Sequence, residues 1–259
     1  MAEREFGGSP TAPVLLVLHG MLGSSRNWQS AAKRLTDAFR VIGLDLRNHG
    51  ESPHHPRMDY PSMAADVRAW MDRSRLEAVH LLGHSMGGKA VMYLACEAPE
   101  RVRTLTVVDI APRAYPPRWE REFALMKRMP VGQFSRRSEA EKWLEEDIRD
   151  WAFRKFLVTN LERAPGGGFR WILNLDVMEA ALPNLFRQVP EGEARYEGPT
   201  LFLRGSESRF VAEADRPMME THFPKSRLET LAGAGHNVHF DKPDQFAATV
   251  RKHLERIKE

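Results

Sequence analysis

Val79-His80-Leu81-Leu82-Gly83-His84-Ser85-Met86-Gly87-Gly88 runs an apolar strand into a G-x-S-x-G turn and on into a helical pattern. The order strand, turn, helix carries more information than the five letters. It puts Ser85 on a strained turn, where flanking glycines let two backbone segments pass without side-chain clashes. The helix that follows directs unpaired amides and the positive end of its dipole toward the serine.

Similar runs recur on both sides. Val14 to Leu18, Arg40 to Leu44, Ala78 to Leu82, Thr104 to Val108, Thr200 to Leu203 and Arg227 to Leu231 are short apolar stretches, the first four followed directly by Gly, His or Asp. Helical patterns lie between several of them, at Asn27 to Ala38, Tyr60 to Arg73 and Lys89 to Ala98, and Phe246, Val250 and Leu254 line one face of a last helix. Continuous Val/Leu/Ile runs separated by helices predict a mostly parallel sheet with helices on both faces. The rhythm breaks between 111 and 195, where apolar residues keep helical spacing and no buried strand is evident. The expected organisation is therefore a core at 1–110, a helical cap insertion at 111–195 and the rest of the core at 196–259. Four of the six tryptophans, Trp119, Trp143, Trp151 and Trp171, fall in the insertion. They are expected chiefly to pack it onto the core, with some also lining an acyl pocket.

A serine hydroxyl needs a base within hydrogen-bond reach to become a nucleophile. Of the ten histidines, His236 is preferred, because the turn Ala232-Gly233-Ala234-Gly235 presents it after a late strand; His239 is the competitor. His222 and His253 read as surface positions on helices, and His84 as a support for its own turn. A carboxylate must then orient the imidazole. Asp109 ends the strand after the elbow helix and fits the chain order Ser, acid, His. Glu207, in the loop after the next strand, is the alternative acid, and Ser208 is placed to hydrogen-bond the acid or the histidine. The backbone N–H groups of Met21, in His19-Gly20-Met21-Leu22-Gly23, and of Met86 are the expected oxyanion donors. Their side chains are expected to wall the pocket.

Five stretches together resemble the small bacterial α/β-hydrolase esterases related to mitochondrial abhydrolase-domain proteins. They are Leu18 to Trp28, Asp45 to Pro53 with its Arg47-Asn48-His49-Gly50, Gly83 to Ala90, Val108-Asp109-Ile110-Ala111-Pro112, and Ala232 to His236. The resemblance implies the α/β-hydrolase fold and cleavage of esters, thioesters included, of short to medium acyl chains. It also implies that the acid follows the strand after the elbow, which supports Asp109, and that Ser208 is a fourth member of the site. Two departures stand out. Ser206 and Glu207 replace a smaller or more neutral pair before Ser208, and the segment before Val14 is too short and polar for two strands, so the sheet is expected to lose an edge strand.

Composition narrows the remaining classes. Of 259 residues, 42% are hydrophobic and 28% charged, and the net charge of +3 is spread without Lys/Arg runs, which argues against a nucleic-acid footprint. The lone Cys96 cannot form an internal disulfide and reads as a packed residue. No stretch has the length of a signal peptide's apolar region or of a membrane span, so the cytoplasm is the expected compartment. No cofactor is implied, and no His/Cys/Asp spacing suggests a metal. The expected partner is a small acyl ester or thioester. Other serine-triad chemistries, of haloperoxidase-like or carbon–carbon bond hydrolase type, share these residues, whereas a dehalogenase of this architecture needs an aspartate where Ser85 stands. A catalytically silent ligand-binding module has no chemical need for the Ser85, Asp109 and His236 set.

Overall fold

The computed structural model describes residues 1–256. In chain order, β1 (Glu3–Gly7), β2 (Val14–Leu18), α1 (Gln29–Lys33), β3 (Arg40–Leu44), α2 (Tyr60–Arg73), β4 (Val79–His84), α3 (Met86–Glu97) and β5 (Val102–Val108) make the first part of the core. Next come α4 (Glu120–Arg128), α5 (Arg137–Trp143), α6 (Trp151–Val158), β6 (Leu161–Arg163), β7 (Phe169–Trp171) and α7 (Leu175–Leu185). The chain returns with β8 (Thr200–Gly205), α8 (Arg216–His222), β9 (Ser226–Leu231), α9 (Val238–Asp241) and α10 (Pro243–Glu255).

Seven strands form the central sheet in the order β1-β3-β2-β4-β5-β8-β9. All neighbours are parallel except β1, which pairs antiparallel with β3 along the edge. The polar N-terminal segment thus supplies one strand rather than two. Side chains alternate across each strand, and the alternation divides the core cleanly. Leu16, Leu18, Ile42, Leu44, Leu81, Leu105, Val107 and Phe202 face the cluster that holds α2 and α3. Leu15, Val17, Val41, Leu82, Val108, Leu201 and Leu203 face the one that holds α1 and α10. Burial on both faces is why these strands read as unbroken apolar runs rather than as alternation.

Two expectations about elements need correction. The pattern from Asn27 to Ala38 is not one helix: a 3-10 turn, Ser25–Trp28, precedes the short α1, and the remainder is turns. The insertion also contains strands, since β6 and β7 form an antiparallel hairpin across Gly166-Gly167-Gly168. Three-residue strands are too short to show a period of two, so sequence patterning cannot separate them from helix. Trp119, Trp143 and Trp171 pack against the larger apolar cluster, but Trp151 is exposed. Lys89, fully buried on α3, ties both ends of this segment to the core by donating to the carbonyls of Arg113 and Arg187. Burial, helped by the nearby Arg113, pulls its ammonium down to about 7. No described helix is long and apolar enough to cross a membrane.

Candidate active site

Parallel strands end on the same side of a sheet, so the loops after β2, β4, β5, β8 and β9 gather at one edge. Those loops carry Met21, Ser85, Asp109, Ser208 and His236, residues so far apart in the chain that sequence alone connects them only by motif. Ser85 sits between β4 and α3 at φ 52° and ψ −117°, a region that a side chain makes costly and that marks functional turns. The turn closes only because glycines surround it. A Cβ on Gly83 would lie 2.2 Å from the Gly87 carbonyl oxygen, and one on Gly87 would lie 2.5 Å from that of His19.

Asp109, at φ 51°, is completely buried. Its Oδ2 accepts from His236 Nδ1 at 2.7 Å and from the Ser208 hydroxyl, and its Oδ1 accepts from the Gly205 amide at 3.2 Å. Three donors suit an ionised carboxylate. The bond at Nδ1 leaves His236 Nε2 as the imidazole's free position, and the side chain is about one-quarter exposed. Glu207 is solvent-exposed, and among the described residues only its backbone amide is engaged, by the Ala234 carbonyl.

The Ser85 hydroxyl and His236 Nε2 make no hydrogen bond among the described residues, so the structure does not close the serine–histidine link. The histidine loop is nevertheless held against the elbow. His84 Nε2 donates to the His236 carbonyl at 2.9 Å, and the two rings lie 4.6 Å apart. His84 therefore supports the histidine loop rather than its own turn. His239 lies beneath, stacked on Trp28 at 4.1 Å and buried, and burial holds its ring at about 3. It does not contact the carboxylate. Burial also pushes the Cys96 thiol up to about 12, so it is no nucleophile at neutral pH.

His222 and His253 are buried, contrary to their reading as surface residues. His222 Nδ1 bonds the Ala194 carbonyl, and His253 Nε2 bonds the Leu105 carbonyl. A helical histidine that satisfies one ring nitrogen internally can pack like a hydrophobe, and spacing gives no sign of this.

The loop after β2 lies against the elbow: a Cβ on Gly20 would be 3.2 Å from Ser85 Cβ. Neither the Met21 nor the Met86 amide is engaged by another described residue. Both side chains are buried in the larger apolar cluster. His19 and His49 hold the loop from beneath. His19 Nδ1 donates to the Gly20 carbonyl at 2.8 Å while Nε2 accepts the Leu46 amide, and His49 Nδ1 donates to the Arg47 carbonyl while Nε2 accepts the Leu22 amide at 3.2 Å. These bonds require neutral rings, as does the burial that lowers both.

Sequence reasoning misses one contributor. Phe210 stacks on the His236 ring at 3.9 Å, and its carbonyl is held by the Tyr115 hydroxyl. An aromatic two residues after Ser208 is the one signal that could reveal it. A cavity of about 410 Å³, between the Gly50 to His54 loop and the β6–β7 hairpin, is lined by Arg26, Glu51, Arg137 and Trp171 among others, and by none of Ser85, Asp109 or His236.

Known proteins resemble the chain along nearly its whole length. The family model described as the alpha/beta hydrolase fold matches residues 13–243. The sn-1-specific diacylglycerol lipase ABHD11 of Xenopus tropicalis is 37% identical over 258 residues, covering 96% of this chain and 80% of that protein. Esterase YbfF of Escherichia coli strain K12 is 33% identical over 256 residues, covering 98% and 96%. The solved structure of a marine microorganism esterase is 34% identical and superposes with a TM-score of 0.93 over 97% of this chain and 98% of its own. With its fold, elbow and nearly full-length likeness to named esterases and lipases, the chain belongs to the α/β-hydrolase family and is a hydrolase.

Proposed function

We propose that the protein is a serine esterase that cleaves carboxylic esters or thioesters of short to medium acyl chains through an acyl-enzyme on Ser85. The observation that carries this reading is the 2.7 Å bond between His236 Nδ1 and a wholly buried Asp109, behind a serine held at a positive φ. His236 Nε2 takes the proton as Ser85 Oγ attacks the acyl carbon. Asp109 keeps the proton on Nδ1 and stabilises the imidazolium. The carbonyl π electrons move to the oxygen, which the Met21 and Met86 amides receive. Collapse of the intermediate expels the alcohol or thiol, which takes the proton from His236. Water then attacks the acyl-enzyme by the same route and releases the acid and Ser85. Ser208 shares Asp109 with the imidazole, and Phe210 keeps that ring from turning.

The segment 111–195 acts as a cap over the acyl site. Relatives named as diacylglycerol lipases support including acylglycerols among the substrates tried. The lone cysteine supports a cytoplasmic setting.

A fluorophosphonate probe and a chain-length series of acyl esters and acyl-CoAs test the reading. The parent is expected to label and to turn over short and medium chains. Ser85→Ala is expected to lose labelling and about 10⁶-fold in turnover. Hydrolysis within tenfold of the parent in that variant overturns the assignment. A parent that binds esters without turnover is a binding module instead.

A further inference from the structure

Leu22 follows the Met21 amide, is buried, and sits at φ 59°, a left-handed conformation that a leucine does not adopt unless its backbone is held. Its two polar groups are held from different parts of the molecule. The amide is bound by His49, within the core. The carbonyl accepts from Asn160 Nδ2 at 2.9 Å, and Asn160 belongs to the insertion. Asn160 is 2% exposed. It lies between the end of α6 and the start of β6, and its own carbonyl accepts the Ile172 amide in the hairpin, so its position follows that of the inserted segment. The Leu22–Gly23 peptide of the oxyanion loop is therefore held by a group 138 residues away, outside the sheet.

We infer that Asn160 is a positioning residue of the reaction, through which docking of the insertion sets the shape of the oxyanion loop. This rests on the Met21 amide being an oxyanion donor. Two neighbouring contacts strengthen the same seam: the Asn174 amide side chain donates to Asn48 Oδ1, and His54 Nε2 bonds the Ile172 carbonyl. Neither reaches the oxyanion loop. Asn160 alone among the three joins the insertion to the oxyanion loop, at the Leu22 carbonyl. Its removal should leave substrate affinity largely intact, because it faces a backbone carbonyl and not the acyl site, and should weaken stabilisation of developing charge.

The test compares Asn160→Asp and Asn160→Leu with the parent, each normalised by fluorophosphonate titration of active sites so that misfolded protein does not count. Kinetics on a short-chain ester and inhibition by a matching trifluoromethyl ketone, which forms a hemiketal oxyanion on serine, are measured from pH 6 to 8.5. The expected result at pH 8 is a kcat lowered about 10–100-fold in both variants with KM within threefold, and ketone affinity lowered in parallel. In Asn160→Asp the kcat relative to the parent should rise as the pH falls, because the protonated carboxyl regains a donor for the Leu22 carbonyl. Asn160→Leu should show no such rise. Parent-like kcat, a loss confined to KM, or a pH-independent deficit in Asn160→Asp overturns the inference while leaving the oxyanion reading in place. A parent indifferent to the ketone overturns that reading and this inference with it. Should one variant fail to fold, the other still decides through the ketone.

Discussion

Asp109 and Glu207 are two carboxylates in adjacent strand-end loops, and burial separates their roles. Asp109 is closed from solvent with three donors around it, while Glu207 projects into water. Asp109→Asn replaces an acceptor-only group by one that must present an NH₂ to one of those donors, which disfavours the tautomer that leaves His236 Nε2 free to accept a proton. The expected loss in kcat is about 10⁴-fold, the scale seen when a triad carboxylate becomes an amide. Glu207→Gln should stay within about twofold. Steady-state kinetics on one ester decides it, and comparable losses would move the acid to the later loop. Chain order and the family resemblance both favour an acid after β5, with Glu207 as the alternative; the burial that separates the two carboxylates is a tertiary property.

Among the elements, the junction of β4 with α3 is where spacing and sterics meet most tightly. The Gly83 Cα faces the backbone of Gly87 and Gly88 so closely that a methyl group has only backbone to displace. Gly83→Ala should therefore cost about 1–3 kcal/mol, as overpacking does, and lower the thermal midpoint by about 3–10 °C. Gly132→Ala, where a Cβ meets nothing within 4 Å and φ is not left-handed, should change the midpoint by less than about 2 °C. Calorimetry of the two variants would refute the steric account of the elbow if they melt alike. Elements with long apolar runs or full helical periodicity, such as β2, β5, α2 and α10, are legible in the sequence itself. The 3-10 turn before α1 and the β6–β7 hairpin are not, because each is shorter than the period that would reveal it.

The molecule as a whole buries histidines in neutral form. Burial is the largest cause in each of four cases, holding His49 and His239 at about 3 and His80 and His253 at about 4, against 6.5 when free. Their folded values are depressed, so the unfolded chain takes up protons first as the pH falls. The stability conferred by keeping these rings neutral is complete above about pH 6.5 and drains between there and pH 3–4. Each ring adds up to about 1.4 kcal/mol per pH unit within that window. The thermal midpoint should fall steeply from pH 6 to 4. His253→Gln, which retains a donor for the Leu105 carbonyl, should make that fall shallower. A midpoint indifferent to pH between 7 and 4 would show that the rings do not stay neutral in the fold.

From its own chain order the sequence determined the alternation of buried strands and helices, the elbow serine, a glycine-presented histidine and the identity of the family, because each depends on neighbours within ten residues or so. Tertiary structure alone decided that His253 packs inside, that Phe210 covers the His236 ring, and that Asn160 reaches Leu22. Those outcomes depend on which atoms exclude water and on contacts between segments a hundred or more positions apart, and no local pattern encodes either.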